Sequence, residues 1–150
     1  MIRQPTETLA DLYLADETAW LDTMAGLIGE KRLDELDYAH LKEFLEDNAR
    51  RDRWEIYCKL ADYLAGALLW TYRRDKLTPT RRAEILHSGF ELENWLDTPT
   101  LQKHANTILH ETYTDAIACV CAEVESPPTA FPPRCPWTLD QLLSAEVLAE

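Results

Sequence analysis

The residues with the clearest chemical spacing are Glu84 and His87, which form a Glu-x-x-His motif in Glu-Ile-Leu-His. Helical bundles build di-iron sites from two such motifs and two further glutamates, all of which point inward. At about 100° per residue, however, His87 lies roughly 160° away from the apolar positions Ile85 and Leu92. The sequence has no second Glu-x-x-His. The histidine is therefore expected to face solvent, and we assign no metal ligand.

Other polar pairs are equally poor candidates for catalysis. Asp37 and His40 have a related spacing, but Asp37 is better used as the N-cap of a helix. His104 and Glu111 share a helix face, yet they are ~10 Å apart along the axis, too far to share one metal or one proton. The chain contains neither a nucleophile elbow nor a glycine-rich phosphate loop. No catalytic, cofactor-binding or metal residue is assigned, and an enzyme is unsupported.

The cysteines do not form a ligand pattern either, because no Cys-x-x-Cys is present. Cys119 and Cys121 are two residues apart on a predicted helix, which turns their side chains ~200° from one another. Cys119 falls on the apolar stripe of that helix and is expected to be a small core residue. Reduced thiols of this kind are typical of a cytoplasmic protein. The four cysteines are Cys58, Cys119, Cys121 and Cys135.

The element that must position all of these residues is an apolar helix predicted over residues 54–72. Its apolar side chains recur on two adjacent rows. Only a narrow polar line is left for water, with Gly66 at its middle and Glu55, Lys59, Asp62 and Arg73 along it. A helix this apolar normally has neighbours on two or three sides. We therefore predict an all-α fold, a single-domain bundle of about five main helices over residues 1–150.

Caps and helical spacing place the other helices. Asp16 and Asp37 are good N-caps, and the pairs Thr78-Pro79 and Thr98-Pro99 each combine an N-cap with proline at the first helical position. Because no proline or glycine separates the second helix from the third, their continuity is left open. Residues 1–15 are expected to form an N-terminal arm that lies on the bundle. The predicted helices occupy residues 16–29, 37–48, 54–74, 79–96 and 98–125.

A proline-rich strap follows, since residues 126–137 contain five prolines in twelve residues. It is predicted to run extended, with Phe131 and Trp137 buried against the helices as its anchors. Thr138 and Gln141 then match a capping box, which begins a short last helix and tail over residues 138–150. The side chains of that helix that are expected to point inward are Leu139, Leu142 and Leu143.

The charge of the chain is strongly acidic, with a formal net charge of −12. Residues 49–82 are the exception, because they hold nine Lys or Arg against four Asp or Glu. These bases either solvate and cap the helix ends or form an exposed basic patch for an acidic partner. The candidate interaction patch consists of Arg73, Arg74, Lys76, Arg81 and Arg82. The acidic balance of the rest argues against nucleic acid and anionic membranes as partners.

The N-terminal residues include no apolar signal-peptide core. The longest uncharged helical stretch, residues 63–72, is too short for the roughly 20 residues that span a bilayer. We therefore expect a cytoplasmic location.

Several motifs in order along the chain resemble a known bacterial family, domain-of-unknown-function family twenty-nine. The most specific is Phe-Pro-x-x-Cys-Pro-Trp-Thr-Leu-x-Gln-Leu-Leu at 131–143. The others are Asp16 with Trp20 and the runs 32–37, 68–70 and 98–101. Two features depart from the family pattern: Leu69 replaces a usual basic residue, and a glycine before the third helix is missing. The resemblance implies an all-helical domain with no established activity, cofactor or catalytic residue.

These observations favour a protein-interaction or structural module that binds a protein partner or a second copy of itself. The main support is that the apolar faces of the third and fifth helices are wider than one small core requires. The alternative is an uncharacterised enzyme or small-ligand-binding domain, which would need a polar pocket inside the bundle.

We predict that the purified protein carries no stoichiometric transition metal, because its one Glu-x-x-His motif faces solvent and its cysteines diverge. Elemental analysis of protein made in metal-replete cells tests this. A near-integer content of iron, manganese or zinc that disappears in His87→Ala would contradict the helical-wheel argument.

Overall fold

A computed structural model describes residues 8–144 and 146–149, and within these ranges the fold is all-α without a β-strand. The predicted fold class is therefore confirmed. Residue contacts divide the chain into two compact units, Met1–Arg50 and Arg51–Glu150. We call them unit 1 and unit 2 and describe each by itself. The expectation of a single domain stays a prediction. Among the described residues, no helix is both long and apolar enough to cross a membrane.

Unit 1 begins with two helices, α1 at Leu9–Ala15 and α2 at Glu17–Gly29. Thr8 and Asp11 cap α1 reciprocally, and the Asp16 carboxylate accepts the Ala19 N–H at the start of α2, as predicted. Helix α1 forms part of the expected N-terminal arm. The first seven residues of that arm lie outside the described ranges. The buried core of unit 1 is Trp20, Met24 and Leu27.

The second and third predicted helices are one continuous helix, α3 at Tyr38–Tyr72. Asp37 begins it, because its carboxylate accepts the His40 N–H at 3.4 Å. The segment between the two predicted helices, residues 49–53, contains only alanine, arginine and aspartate, none of which interrupts a helix. The question that the sequence left open is thus settled by the absence of any helix breaker.

Unit 2 is built around the second half of α3, where every residue from Tyr63 to Trp70 is buried. Gly66 belongs to this core, although the sequence placed it on the polar line of the helix. A Cβ at Gly66 would lie 2.6 Å from the Cγ1 atom of Ile85. The two helices that carry these residues therefore touch at close range, and only glycine fits at the contact.

The next two helices are α4 at Pro79–Trp95 and α5 at Pro99–Val124. Both start as predicted, because Thr78 and Thr98 accept N–H groups of the first turn and proline follows each of them. On α5 the buried row continues from Ala116 to Val120 and Val124 in steps of four residues. Cys119 does not belong to this row. It is exposed, so the prediction that Cys119 is a core residue is wrong.

Of the two predicted anchors of the proline-rich strap, Phe131 is more deeply buried than Trp137. Phe131 is only 4% exposed, which confirms its burial, whereas Trp137 is only partly buried. Tyr113 adds a fixed point, because its hydroxyl donates to the carbonyl of Pro132 at 2.6 Å. A turn of 3-10 helix at Pro128–Ala130 interrupts the expected extended path.

The chain closes with α6 at Leu139–Leu143, which begins with the predicted capping box of Thr138 and Gln141. Leu139 and Leu142 are buried as expected, and Leu143 is partly buried. A final 3-10 turn at Glu146–Leu148 adds Val147 to the core of unit 2.

We predict that Gly66→Ala lowers the free energy of unfolding by about 1–3 kcal/mol, because the added methyl must displace Ile85 in a packed interface. Urea unfolding followed by circular dichroism measures the change. Gly26→Ala in α2 is the matched control, since no atom lies within 4 Å of its Cβ position. The control should gain roughly 0.5–1 kcal/mol from helix propensity. Equal effects of the two substitutions would show that packing at Gly66 is not limiting.

Candidate functional site

The predicted basic patch lies around the turn that joins α3 to α4, and most of its cations already have partners inside unit 2. Arg73 pairs with Asp75 at 2.9 Å and donates to the Ser126 hydroxyl. Arg74 donates from Nε to the Trp70 carbonyl at 3.2 Å and from Nη2 to the Ala149 carbonyl at 3.0 Å. These bonds connect the turn with the strap and with the C-terminal residues.

The two arginines of α4 are also engaged. Arg81 donates to both carboxylate oxygens of Glu123 on α5, at 2.7 and 3.1 Å, and lies 3.5 Å from Glu84. The bidentate geometry raises the pKa of Arg81 above its ordinary value, chiefly through the Glu123 hydrogen bonds. The guanidinium of Arg82 lies 5.0 Å from the ring centre of Trp70, in a cation–π contact. Use of the five residues as a surface for an acidic partner stays a prediction.

Beside this turn runs an open groove of about 440 Å³ whose lining carries both signs of charge. Lys76 and Arg81 contribute the positive charge, and Glu84, Glu123 and Glu125 contribute the negative charge. Since Arg81 is already held by two of these carboxylates, the groove has no net excess of cations to attract an anion.

A different surface of unit 2 exposes large apolar side chains. Phe90 is 65% exposed and Leu86, one helical turn before it on α4, is 42% exposed. They border a small pocket of about 60 Å³ whose floor includes Tyr63 and Gly89. The other side chains that line the pocket are Glu93, Leu142, Leu143 and Leu148. We call Leu86, Phe90, Leu143 and Leu148 the Phe90 surface.

The floor of this pocket is rigid. A Cβ at Gly89 would lie 3.0 Å from the Tyr63 ring, so the ring rests directly on the backbone of α4. Burial raises the pKa of Tyr63 to about 12. The pocket therefore presents a mainly apolar wall, and Glu93 is its one charged lining residue.

A second apolar groove lies between α5 and the strap, with a volume of about 530 Å³. It is lined by Thr114, Ile117, Pro128, Thr129, Phe131 and Pro133. Its size is that of a ligand pocket, but no charged side chain converges on it, whereas binding sites usually place a few polar groups to orient the ligand.

Unit 1 holds a polar and aromatic cluster around Asp37. One Asp37 carboxylate oxygen accepts the Trp20 indole N–H at 3.2 Å and lies 2.7 Å from Nδ1 of His40. The Tyr13 ring centre lies 4.4 Å from that of His40 and 4.8 Å from that of Trp20. Burial opposes ionisation of Asp37, but the hydrogen bonds from His40 and Trp20 outweigh it and hold the pKa below its ordinary value.

This cluster joins α1, α2 and α3, and its chemistry is that of a structural network. No three His, Cys, Asp or Glu side chains in the described ranges gather closely enough to hold a metal ion. The contact with Asp37 orients the His40 imidazole. Both side chains also have structural contacts in unit 1, because Asp37 accepts the Trp20 N–H and the His40 ring lies against that of Tyr13.

The family model described as "Domain of unknown function DUF29" matches residues 12–148. The chain belongs to this family. No curated protein and no solved structure matches it. The match extends over both units of the DUF29 chain, from within α1 to the final 3-10 turn.

Two of the residues on which the resemblance was based meet in the structure. Trp20 and Asp37 are seventeen residues apart in the chain and share one hydrogen bond. Sequence reasoning assigned Asp37 to capping alone and gave His40 no role. The missed signal was the aromatic content of α1, because Tyr13 supplies the ring that covers His40.

The Phe90 surface was also missed. The sequence analysis considered only the apolar row of α4 through Ile85 and Leu92, and Leu86 lies at the flank of that row. Phe90 follows Leu86 by four residues and therefore extends that flank into a second apolar row. A count of apolar rows on α4, as was done for the third and fifth helices, would have found it.

We predict that Asp37→Asn lowers the stability of unit 1 by about 1–2 kcal/mol, because asparagine still caps α3 but loses the charge-assisted bond to His40. The pKa of Asp37 is depressed in the folded state, so its stabilisation is present above roughly pH 4 and is lost as the pH falls further. Thermal unfolding between about pH 7 and pH 3 measures both effects.

The matched control is Asp34→Asn, since Asp34 is exposed. The difference in melting temperature between wild type and Asp37→Asn should shrink at acid pH. A difference that stays constant over the whole range would refute the proposed ionic contribution.

Proposed function

We propose that this DUF29 protein is a cytoplasmic protein-interaction module that binds its partner through the Phe90 surface. The observation that carries the proposal is the exposure of the Phe90 ring beside a preformed apolar pocket. An exposed phenylalanine is common as an isolated residue, but here Leu86, Leu143 and Leu148 adjoin it around one cavity. Contiguous apolar surface of this kind is typical of a binding site.

The interior of unit 2 supports an interaction module over a domain with an internal ligand pocket. The buried polar side chains of the described residues, besides the tyrosines, are Thr112 and Ser126. Thr112 donates to the carbonyl of Ile108 on its own helix, and Ser126 accepts a bond from Arg73. Both are therefore used by the fold itself, and neither marks a polar site for a ligand.

The exposed apolar side chains that support the proposal lie on α4 and not on the two helices that were expected to supply them. The third and fifth predicted helices were thought too wide for one core, but α3 is buried continuously from Tyr63 to Trp70. On α5, Tyr113, Val120 and Val124 are buried, and Leu109 and Ile117 are partly buried against the core. The surface on which the proposal rests is on α4. Its aromatic residue, Phe90, is a large side chain of the kind that anchors interfaces.

The cytoplasmic part of the proposal is supported by the four cysteines, which are all free. Free thiols suit a reducing compartment.

The proposal is tested by placing a photo-crosslinking phenylalanine analogue at position 90 and irradiating cells that express the protein. The matched control places the same analogue at position 45, because Leu45 is also an exposed apolar residue in a helix. We expect a discrete adduct from position 90 and none from position 45. An adduct of twice the chain mass would identify a second copy as the partner. Identical, diffuse labelling from both positions would refute a binding role for the Phe90 surface.

A further inference from the structure

The two chain segments that form the Phe90 surface contain acidic residues but no lysine or arginine. From Leu86 to Trp95, α4 has Glu91 and Glu93 but no lysine or arginine. From Leu139 to Ala149, the C-terminal segment has Asp140 and Glu146 and again no lysine or arginine. The rim of an apolar surface is where charge selects partners, because it is desolvated less than the centre.

Two cations contact these segments and already have partners, because Lys59 pairs with Glu91 and Arg74 donates to the carbonyls of Trp70 and Ala149. Lys59, one turn before Tyr63 on α3, lies 3.5 Å from Glu91 and 5.7 Å from the ring centre of Trp95. Arg82, one turn before Leu86, lies over the Trp70 ring. Within the described part of the chain, Glu93, Asp140 and Glu146 have no ion-pair partner and are exposed.

The shape of the surface favours a helix as the bound element. An added strand would need an open sheet edge, and the described residues contain no strand. The pocket of about 60 Å³ is far smaller than the roughly 300–1,000 Å³ of a cofactor site, but it can accept one aliphatic side chain. Leu86 and Phe90, four residues apart, present the spacing that a partner helix meets with anchors at i, i+3 or i+4 and i+7.

Starting from the proposed function, we infer that the partner is a basic amphipathic helix of another protein, with its apolar face on Leu86 and Phe90 and its lysines or arginines opposite Glu93 and Glu146. A second copy of this chain is disfavoured by charge. Each copy would bring the same acidic rim and a net charge of −12, and like charges placed together at an interface cost affinity.

The test uses a synthetic helical peptide of roughly 18 residues, with leucines at amphipathic spacing and lysine at the other positions. A second peptide replaces every lysine with glutamate. Fluorescence anisotropy with the full chain should give binding of the lysine peptide that is at least tenfold tighter than that of the glutamate peptide. The affinity should fall between low salt and about 0.5 M salt, where screening shortens to a few ångströms.

Two variants separate the Phe90 surface from a general attraction to an acidic protein. Phe90→Ala should weaken the lysine peptide at least tenfold, the effect of losing a central aromatic anchor, whereas Leu45→Ala should change it less than twofold. The double variant Glu93→Gln with Glu146→Gln should reduce the salt dependence, and Glu43→Gln with Asp34→Asn, which removes two exposed charges in unit 1, should leave it unchanged. Circular dichroism of every variant confirms that the helices are intact.

Equal affinity of the lysine peptide for wild type and Phe90→Ala, or equal binding of the two peptides, would overturn the inference. A concentration-dependent dimer of the full chain that dissociates in Phe90→Ala would also overturn it, while it would leave the interaction function in place. If crosslinking from position 90 captures a protein but neither peptide binds, the partner class is wrong and the proposed function stands.

Discussion

The architecture of unit 2 depends on the close approach of α3 and α4. The distance between packed helices depends on the side chains at the contact, and a glycine leaves room for a side chain of the facing helix. Gly66 and Gly89 provide two such positions, because Ile85 fills the space above the first and the Tyr63 ring covers the second. These contacts fix the rotation of α4 about its own axis.

The exposure of Phe90 follows from that rotation. With Ile85 turned toward Gly66, the residue five positions later lies ~140° away around the helix and cannot face the same neighbour. Turning Phe90 inward would expel Ile85, which is 1% exposed, and would separate the two glycine contacts. The fold therefore cannot lower its free energy by burying this ring. The packing of α3 against α4 therefore holds the Phe90 ring at the surface, which is consistent with the proposed docking role.

Local features were predictable from the sequence, whereas features that depend on distant neighbours were not. The caps at Thr78, Thr98 and Thr138 were correct, because each is decided within four residues. Gly66 was misassigned, because only the position of α4 shows that its missing side chain is filled by Ile85. Trp137 was expected to be as buried as Phe131, yet nothing in a proline-rich stretch reveals which of two rings reaches the core. The candidate surface was missed for a different reason, because the second apolar row on α4, through Leu86 and Phe90, is visible in the sequence itself.

The hydrogen bonds and ion pairs of the basic segment, residues 49–82, affect which charges remain at the surface. Residues 49–82 contain most of the cations of the chain, and a count of charges suggested that they form a patch for a partner. Within unit 2, Arg73, Arg74 and Arg81 also bind the strap, the C-terminal residues and α5. Partly buried pairs of this kind are screened less by salt than exposed charges are. The acidic excess is left at the surface, and an apolar contact surrounded by carboxylates admits cationic partners while it repels anionic ones of the same shape.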